Sequence, residues 1–248
     1  MREKRPKKIK ILIISTVLLV AVIIGGCALY LSDFYRADEG AIDAFAPMTD
    51  ISTYTTSEGY TVFPAEGATV GVIFYPGGKV DSRAYAPLMA ALAERGITSV
   101  LVNMPFNLAV FDINAADGVR DEVSGVSDWY MAGHSLGGSM AASYLEKHAD
   151  EFSGLILLGS YSTADLSGGA LRALCIHGTE DGVMNREKHD DYFANLPHGT
   201  PDIEIEGGCH AYFGMYGEQE GDGAPTLTPA EQILITADYI ESFIFGDN

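Results

Sequence analysis

From position 11 to 31 the chain reads ILIISTVLLVAVIIGGCALYL, twenty-one residues without a charge. As a helix this run would reach ~31 Å, the thickness of a bilayer's hydrocarbon core. No polar face interrupts it, so a buried core helix fits poorly and a transmembrane anchor is predicted. Residues 32–47 read as a juxtamembrane stalk or a short helix. Residues 51–56 and 60–64 then alternate polar and apolar side chains around Glu58-Gly59, as an opening hairpin does. After them come short apolar runs at 69–75, 98–102, 129–132, 154–158, 173–176 and 203–205. Most are uninterrupted, the pattern of strands covered on both faces. Amphipathic segments at 85–95, 135–148, 186–196 and 229–245 separate them, with a part-helical stretch over 108–123 weakened by Gly118. Such alternation predicts a mainly parallel sheet with helices on both faces, whose ligands bind beyond the carboxyl ends of the strands. The chain thus divides into a basic segment (1–10), an anchor (11–31), a stalk (32–50) and one α/β domain (51–248).

Charge sharpens this division. The first ten residues, MREKRPKKIK, hold six of the fifteen Lys/Arg and one acidic residue. The remainder carries nine Lys/Arg against thirty-three Asp/Glu, a net of −24. A body that acidic repels phosphates, so a nucleic-acid partner is excluded from the expected functions. The basic cluster is expected to stay cytoplasmic, with the body outside. The apolar run is too long for an ordinary cleaved signal. Ile24-Gly25-Gly26-Cys27 offers a second form of membrane attachment, since it resembles a lipobox whose Cys27 would be lipidated; Ala28 to Leu31 continue the apolar run where lipoproteins turn polar. Three cysteines make no disulfide framework, and whether Cys175 and Cys209 pair is left open.

The chemistry is concentrated in three segments. WYMAGHSLGG, 129–138, runs from a short strand through Gly133-His134-Ser135-Leu136-Gly137 into a helical stretch. A G-x-S-x-G between strand and helix places its central serine, Ser135, on a tight turn with the helix N-terminus behind it. A serine hydroxyl needs a base to take its proton, and in this chain order an acid and then a histidine follow the nucleophile. His210, in IEIEGGCHAYFG after the last strand, is the candidate base; His148, His189 and His198 read as surface residues and His177 as a structural one. ALCIHGTEDGVM supplies the acid, Asp181, with Glu180 as fallback and Asp190 and Asp191 as solvated helix residues. The backbone N–H of Leu136 is one oxyanion donor, and the other is expected from Gly78 or Lys79 in FYPGGKVDSRAY. Residues 212–223 carry Glu218, Glu220 and Asp222, but no recognisable metal-binding loop.

From about Thr69 onward the chain resembles the α/β-hydrolase superfamily. More narrowly, FYPGGKVDSRAYAPL, GHSLGGSMAA, HGTEDGVM and EGGCHAYFGMYGEQEGDG are similar to bacterial membrane-anchored hydrolases related to dienelactone hydrolase (carboxymethylenebutenolidase-like proteins). Those relatives carry Asn where this chain has Cys209. True dienelactone hydrolases use a cysteine nucleophile where this chain has Ser135, so their substrate does not carry over. The resemblance implies a serine esterase acting on small-molecule acyl esters, thioesters or lactones through an acyl-enzyme, with no cofactor. Acyl transfer is the nearest rival chemistry. A non-catalytic surface-binding domain that keeps the fold is the rival from another class.

Overall fold

The computed structural model describes residues 7–46, 53–55 and 59–246. The basic residues 1–6, and both ends of the expected first strand at 51–52 and 56, lie outside the described residues. The chain forms two compact units, one ending at Phe34 and one beginning at Tyr35. In the first, helix α1 (Lys7–Ser32) contains a 24-residue stretch, Ile9–Ser32, long and apolar enough to cross a membrane.

In the second unit a short helix, α2 (Glu39–Phe45), precedes the sheet; Asp38 caps it by accepting the Ala41 N–H. The eight strands are β1 (Tyr54–Thr55), β2 (Tyr60–Phe63), β3 (Val70–Tyr75), β4 (Ile97–Val102), β5 (Asp128–His134), β6 (Gly154–Leu158), β7 (Arg172–Gly178) and β8 (Asp202–Ile205). Their spatial order is β1-β2-β4-β3-β5-β6-β7-β8, antiparallel at β1 and β2 and parallel from β4 onward. Every residue of β3, β4 and β6 is buried, which explains their continuous apolar sequences. One face packs under α3 (Ala86–Glu94) and α7 (Pro229–Phe245) through Leu88, Leu92, Ile233 and Ile240. The other packs under α5 (Leu136–His148) through Ala141 and Leu145, with Leu166, Leu171 and Leu196. A Thr228–Glu231 capping box with Pro229 at the first helical position fixes the start of α7.

The structure differs from the sequence expectation in four places. Strand β5 runs two residues further, to His134, because Gly133 and His134 still pair with Leu157 and Leu158. Over 108–123 only a 3-10 turn (Ala109–Phe111) and the single-turn α4 (Val119–Glu122) form, with Gly118 at φ 79° setting the boundary. Helix α6 (Arg186–Tyr192) ends early and tightens into a 3-10 turn at Phe193–Asn195. Finally, the residues expected as a stalk are not a free spacer. Tyr35 bridges Val80, Asp38 donates its N–H to Met215 O at 2.8 Å, and Phe45 is buried in the core. The domain therefore begins some sixteen residues ahead of position 51.

Candidate active site

One residue separates β5 from α5. Ser135 sits at φ 52°, ψ −122°, outside the regions an L-residue ordinarily occupies, so its neighbours must hold it there. They do so by close backbone contact. A Cβ on Gly137 would lie 2.2 Å from the carbonyl oxygens of Tyr75 and Pro76, and one on Gly133 2.6 Å from the Gly137–Gly138 backbone. Only glycine fits at either position. Ser135 also donates its N–H to Leu158 O (2.9 Å) and accepts the Ser160 hydroxyl at its own carbonyl (2.7 Å). The serine opens on a cavity of about 250 Å³, lined further by Ser139, Tyr161, Val183 and Met184.

Next to it the acid and the histidine meet. Asp181 lies on the loop after β7 and His210 opens a 3-10 turn (Ala211–Phe213) beyond β8. His210 Nδ1 is 2.8 Å from Asp181 Oδ2, while Asp181 Oδ1 accepts the N–H groups of Val183 (3.0 Å) and Met184 (2.8 Å). Burial acts to raise the Asp181 carboxyl, but the His210 bond and charge and those two amides outweigh it, holding the group below the usual carboxylate range. Asp181 is thus ionised and acceptor-only, which fixes the proton of His210 on Nδ1 and leaves a lone pair on Nε2. Nε2 is buried without a hydrogen-bond partner. The Ser135 hydroxyl does not bond it; in unliganded sites such bonds tighten only as substrate binds. Both groups border the end of β6: a Cβ on Gly159 would lie 2.9 Å from His210 Nδ1 and 3.0 Å from Asp181 Oδ2, one residue past the Leu158 carbonyl that holds Ser135. Glu180, the fallback acid, is exposed, as are Asp190 and Asp191.

The two residues expected to share the second oxyanion position separate cleanly. Lys79 is excluded, because its N–H already donates to Asn107 O at 2.7 Å. Gly78 remains, and it packs directly on Leu136, whose side chain a Cβ at Gly78 would meet at 2.8 Å. The N–H of Leu136 belongs to the first turn of α5 and has no partner within the helix.

Two histidines depart from the sequence reading. His189, expected at the surface, is 3% exposed and bonds Asp202 through Nε2 at 3.0 Å. His134, the variable residue of the G-x-S-x-G, lies fully buried with its Nδ1 2.7 Å from the Tyr85 hydroxyl, which accepts the Gly77 N–H. Burial, then the nearby His210, pushes His134 well below the ordinary imidazole value, so it stays neutral at 4.4 Å ring separation from His210. No periodicity marks such a residue. His148 stacks on Tyr144 away from the site and His198 is exposed, as read from the sequence. Cys175 and Cys209 are both buried free thiols.

His177, His189 and Asp202 cluster closely enough to suggest a metal site. The donor chemistry argues otherwise. Arg186 donates to His177 Nδ1 at 2.8 Å, which leaves the His177 proton on Nε2, facing Asp202 Oδ1 at 3.2 Å. A protonated Nε2 has no lone pair for a cation, so the cluster is read as a hydrogen-bonded network.

A nucleophile-elbow serine, an acid after β7 and a histidine after β8 on such a sheet define the α/β-hydrolase architecture. The alpha/beta hydrolase family model matches residues 71–234, and the chain belongs to that family. No curated protein matches it. Solved structures share the fold at low identity. Dienelactone hydrolase from Anabaena variabilis is 15% identical over 77% of this chain and 97% of its own, with a TM-score of 0.54. The esterase Est1E from Butyrivibrio proteoclasticus, with ferulic acid bound, is 14% identical over 75% and 95%, TM-score 0.56. A thermophilic esterase from Thermogutta terrifontis is 17% identical over 81% and 94%, TM-score 0.54.

Proposed function

We propose that the protein is a serine hydrolase cleaving carboxylic esters through an acyl-enzyme, held at a membrane by α1. The observation that carries this reading is His210, pinned through Nδ1 by Asp181 with Nε2 buried and unpaired beside the strained Ser135 elbow. Ser135 Oγ attacks the ester carbonyl as its proton passes to His210 Nε2. The resulting oxyanion accepts the N–H groups of Leu136 and Gly78. As the tetrahedral intermediate collapses, the leaving alcohol takes the proton from His210. Water then attacks the acyl-enzyme with His210 again as base, releasing the acid and restoring Ser135. Asp181 stays ionised and stabilises the imidazolium. No step calls on a cofactor. The cavity of about 250 Å³ at Ser135 favours small acyl groups, a reading in keeping with the esterases among the structural neighbours. The basic residues 1–10 face the cytoplasm and the domain lies outside, with α1 rather than a lipidated Cys27 as the anchor; Cys27→Ser then leaves the protein in the membrane fraction.

A fluorophosphonate probe tests the chemistry. Covalent labelling of the wild-type chain, its loss in Ser135→Ala, and faster turnover of short than of long p-nitrophenyl esters are expected. A folded wild-type protein that takes no label refutes the enzyme and favours a binding domain.

A further inference from the structure

The segment 212–223, whose acids match no metal loop, has an unexpected destination. Asp222 folds back between the two loops that carry Asp181 and His210. Its Oδ1 accepts the N–H of His210 (3.0 Å), Gly182 (3.2 Å) and its neighbour Gly223 (3.1 Å), and its Oδ2 accepts the N–H of Ala211 (2.8 Å). One carboxylate therefore bonds the main chain of the histidine itself, the residue after it, and the residue after the acid. Only an ionised carboxylate offers enough lone pairs for four amides without a competing donor. The strand-loop-helix pattern of the fold does not require this: β7 and β8 would present their loops side by side but with independent tips.

We propose that Asp222 is a positioning residue, which sets the Asp181–His210 pair in register by binding both loops at once. This rests on the ester-hydrolysis reading above. The neighbouring glycines allow the approach. A Cβ on Gly182 would lie 2.3 Å from Gly221 O, and one on Gly223 2.3 Å from Glu180 O. A direct main-chain bond, Gly223 N–H to Glu180 O at 2.9 Å, holds the same contact without the carboxylate. The loop's attachment and the aim of His210 are thereby separable. The carboxylate's charge is felt locally: burial first, and then Asp222, push the Cys209 thiol up to about 12.

The test is Asp222→Asn in the full-length protein in detergent micelles. The substitution keeps the shape but turns an NH2 against amide donors on one edge. Competent sites are counted by fluorophosphonate titration, and p-nitrophenyl butyrate hydrolysis is expressed per titrated site. The expected result is a full count of sites, KM within about twofold of wild type and kcat per site lower by about 10- to 100-fold, the effect of sub-ångström to ångström misalignment. An unchanged kcat per site, or activity lost only in proportion to lost sites, overturns the proposal. Amide exchange on the wild-type chain is a second, variant-free measurement: the amides of Gly182, His210 and Ala211 must all be slow, and rapid exchange at any one overturns it. A wild-type protein that takes no label at all refutes the underlying function instead.

Discussion

At the scale of single residues, the proposed mechanism depends on which nitrogen of His210 carries the proton. Asp181→Asn tests this with little change of shape. The asparagine carbonyl can stay on the Val183 and Met184 amides, where Oδ1 now accepts both. Its NH2 then faces His210 Nδ1 and, as a donor, forces the imidazole proton onto Nε2, where it blocks the acceptance of the Ser135 proton. The expected outcome is a fall in kcat of about 10⁴-fold with KM little changed, read from p-nitrophenyl ester kinetics. A loss below tenfold would mean that Asp181 does not set the tautomer. Ser135, Asp181 and His210 were legible in the sequence because each sits in a short motif at a strand end, and topology alone brings strand ends together. Gly78 and Lys79 could not be told apart, since the deciding bond, Lys79 N–H to Asn107 O, joins loops 28 positions apart. Asp222 was visible only as one acid among three. Its partners are main-chain amides, which leave no mark on side-chain patterning.

At the scale of elements, α6 is tied to β8 by a pair the sequence placed at the surface. His189 and Asp202 bond at 3.0 Å. The Asp202 bond raises His189 above the ordinary 6.5 against the opposing effect of burial. Burial acts to raise Asp202, but its bonds to His177 and His189 prevail and hold it well below 3.8. The raised histidine contributes stability that is complete below pH 6.5 and is lost as pH rises through its folded value. The lowered carboxyl contributes stability that is complete above pH 3.8 and is lost as pH falls through its own folded value. The pair thus acts fully between about pH 4 and 6.5. Accordingly, urea midpoints of wild type and His189→Gln should differ most near pH 5 and converge by pH 9; a gap independent of pH would show that the ring acts by packing alone. His189 escaped detection because α6 is only seven residues long, with Glu187, Lys188, Asp190 and Asp191 around it, too short and too charged for a periodicity to reveal its inner face. The long parallel strands were legible for the opposite reason: burial on both faces leaves an apolar run that little else in a soluble domain produces.

For the molecule as a whole, the position of the domain boundary becomes an experimental matter. Hydrophobic patterning placed it near 51, whereas the compact unit begins at Tyr35, and the two choices predict different proteins. The intervening segment packs Phe45 into the core and clamps the loop carrying Gly78 from one side: Tyr35 donates its N–H to Lys79 O at 2.8 Å and accepts the Asp81 N–H at 2.9 Å. A chain starting at Asp33 keeps all of these contacts and lacks the apolar helix. It should be soluble without detergent, with kcat and KM per fluorophosphonate-titrated site equal to those of the full-length protein. A chain starting at 51 loses the Phe45 contact, which alone is worth about 3–5 kcal/mol. That is a large part of the ~5–15 kcal/mol that holds a typical domain folded. Its denaturant midpoint should drop sharply. Even where it remains folded, kcat per site should fall by about tenfold or more, since the Gly78 amide is no longer held against Leu136. Equal midpoints and equal kcat for the two truncations would show that residues 35–50 are a spacer after all. A loss of kcat without a shift in midpoint would assign their role to the oxyanion loop rather than to the core.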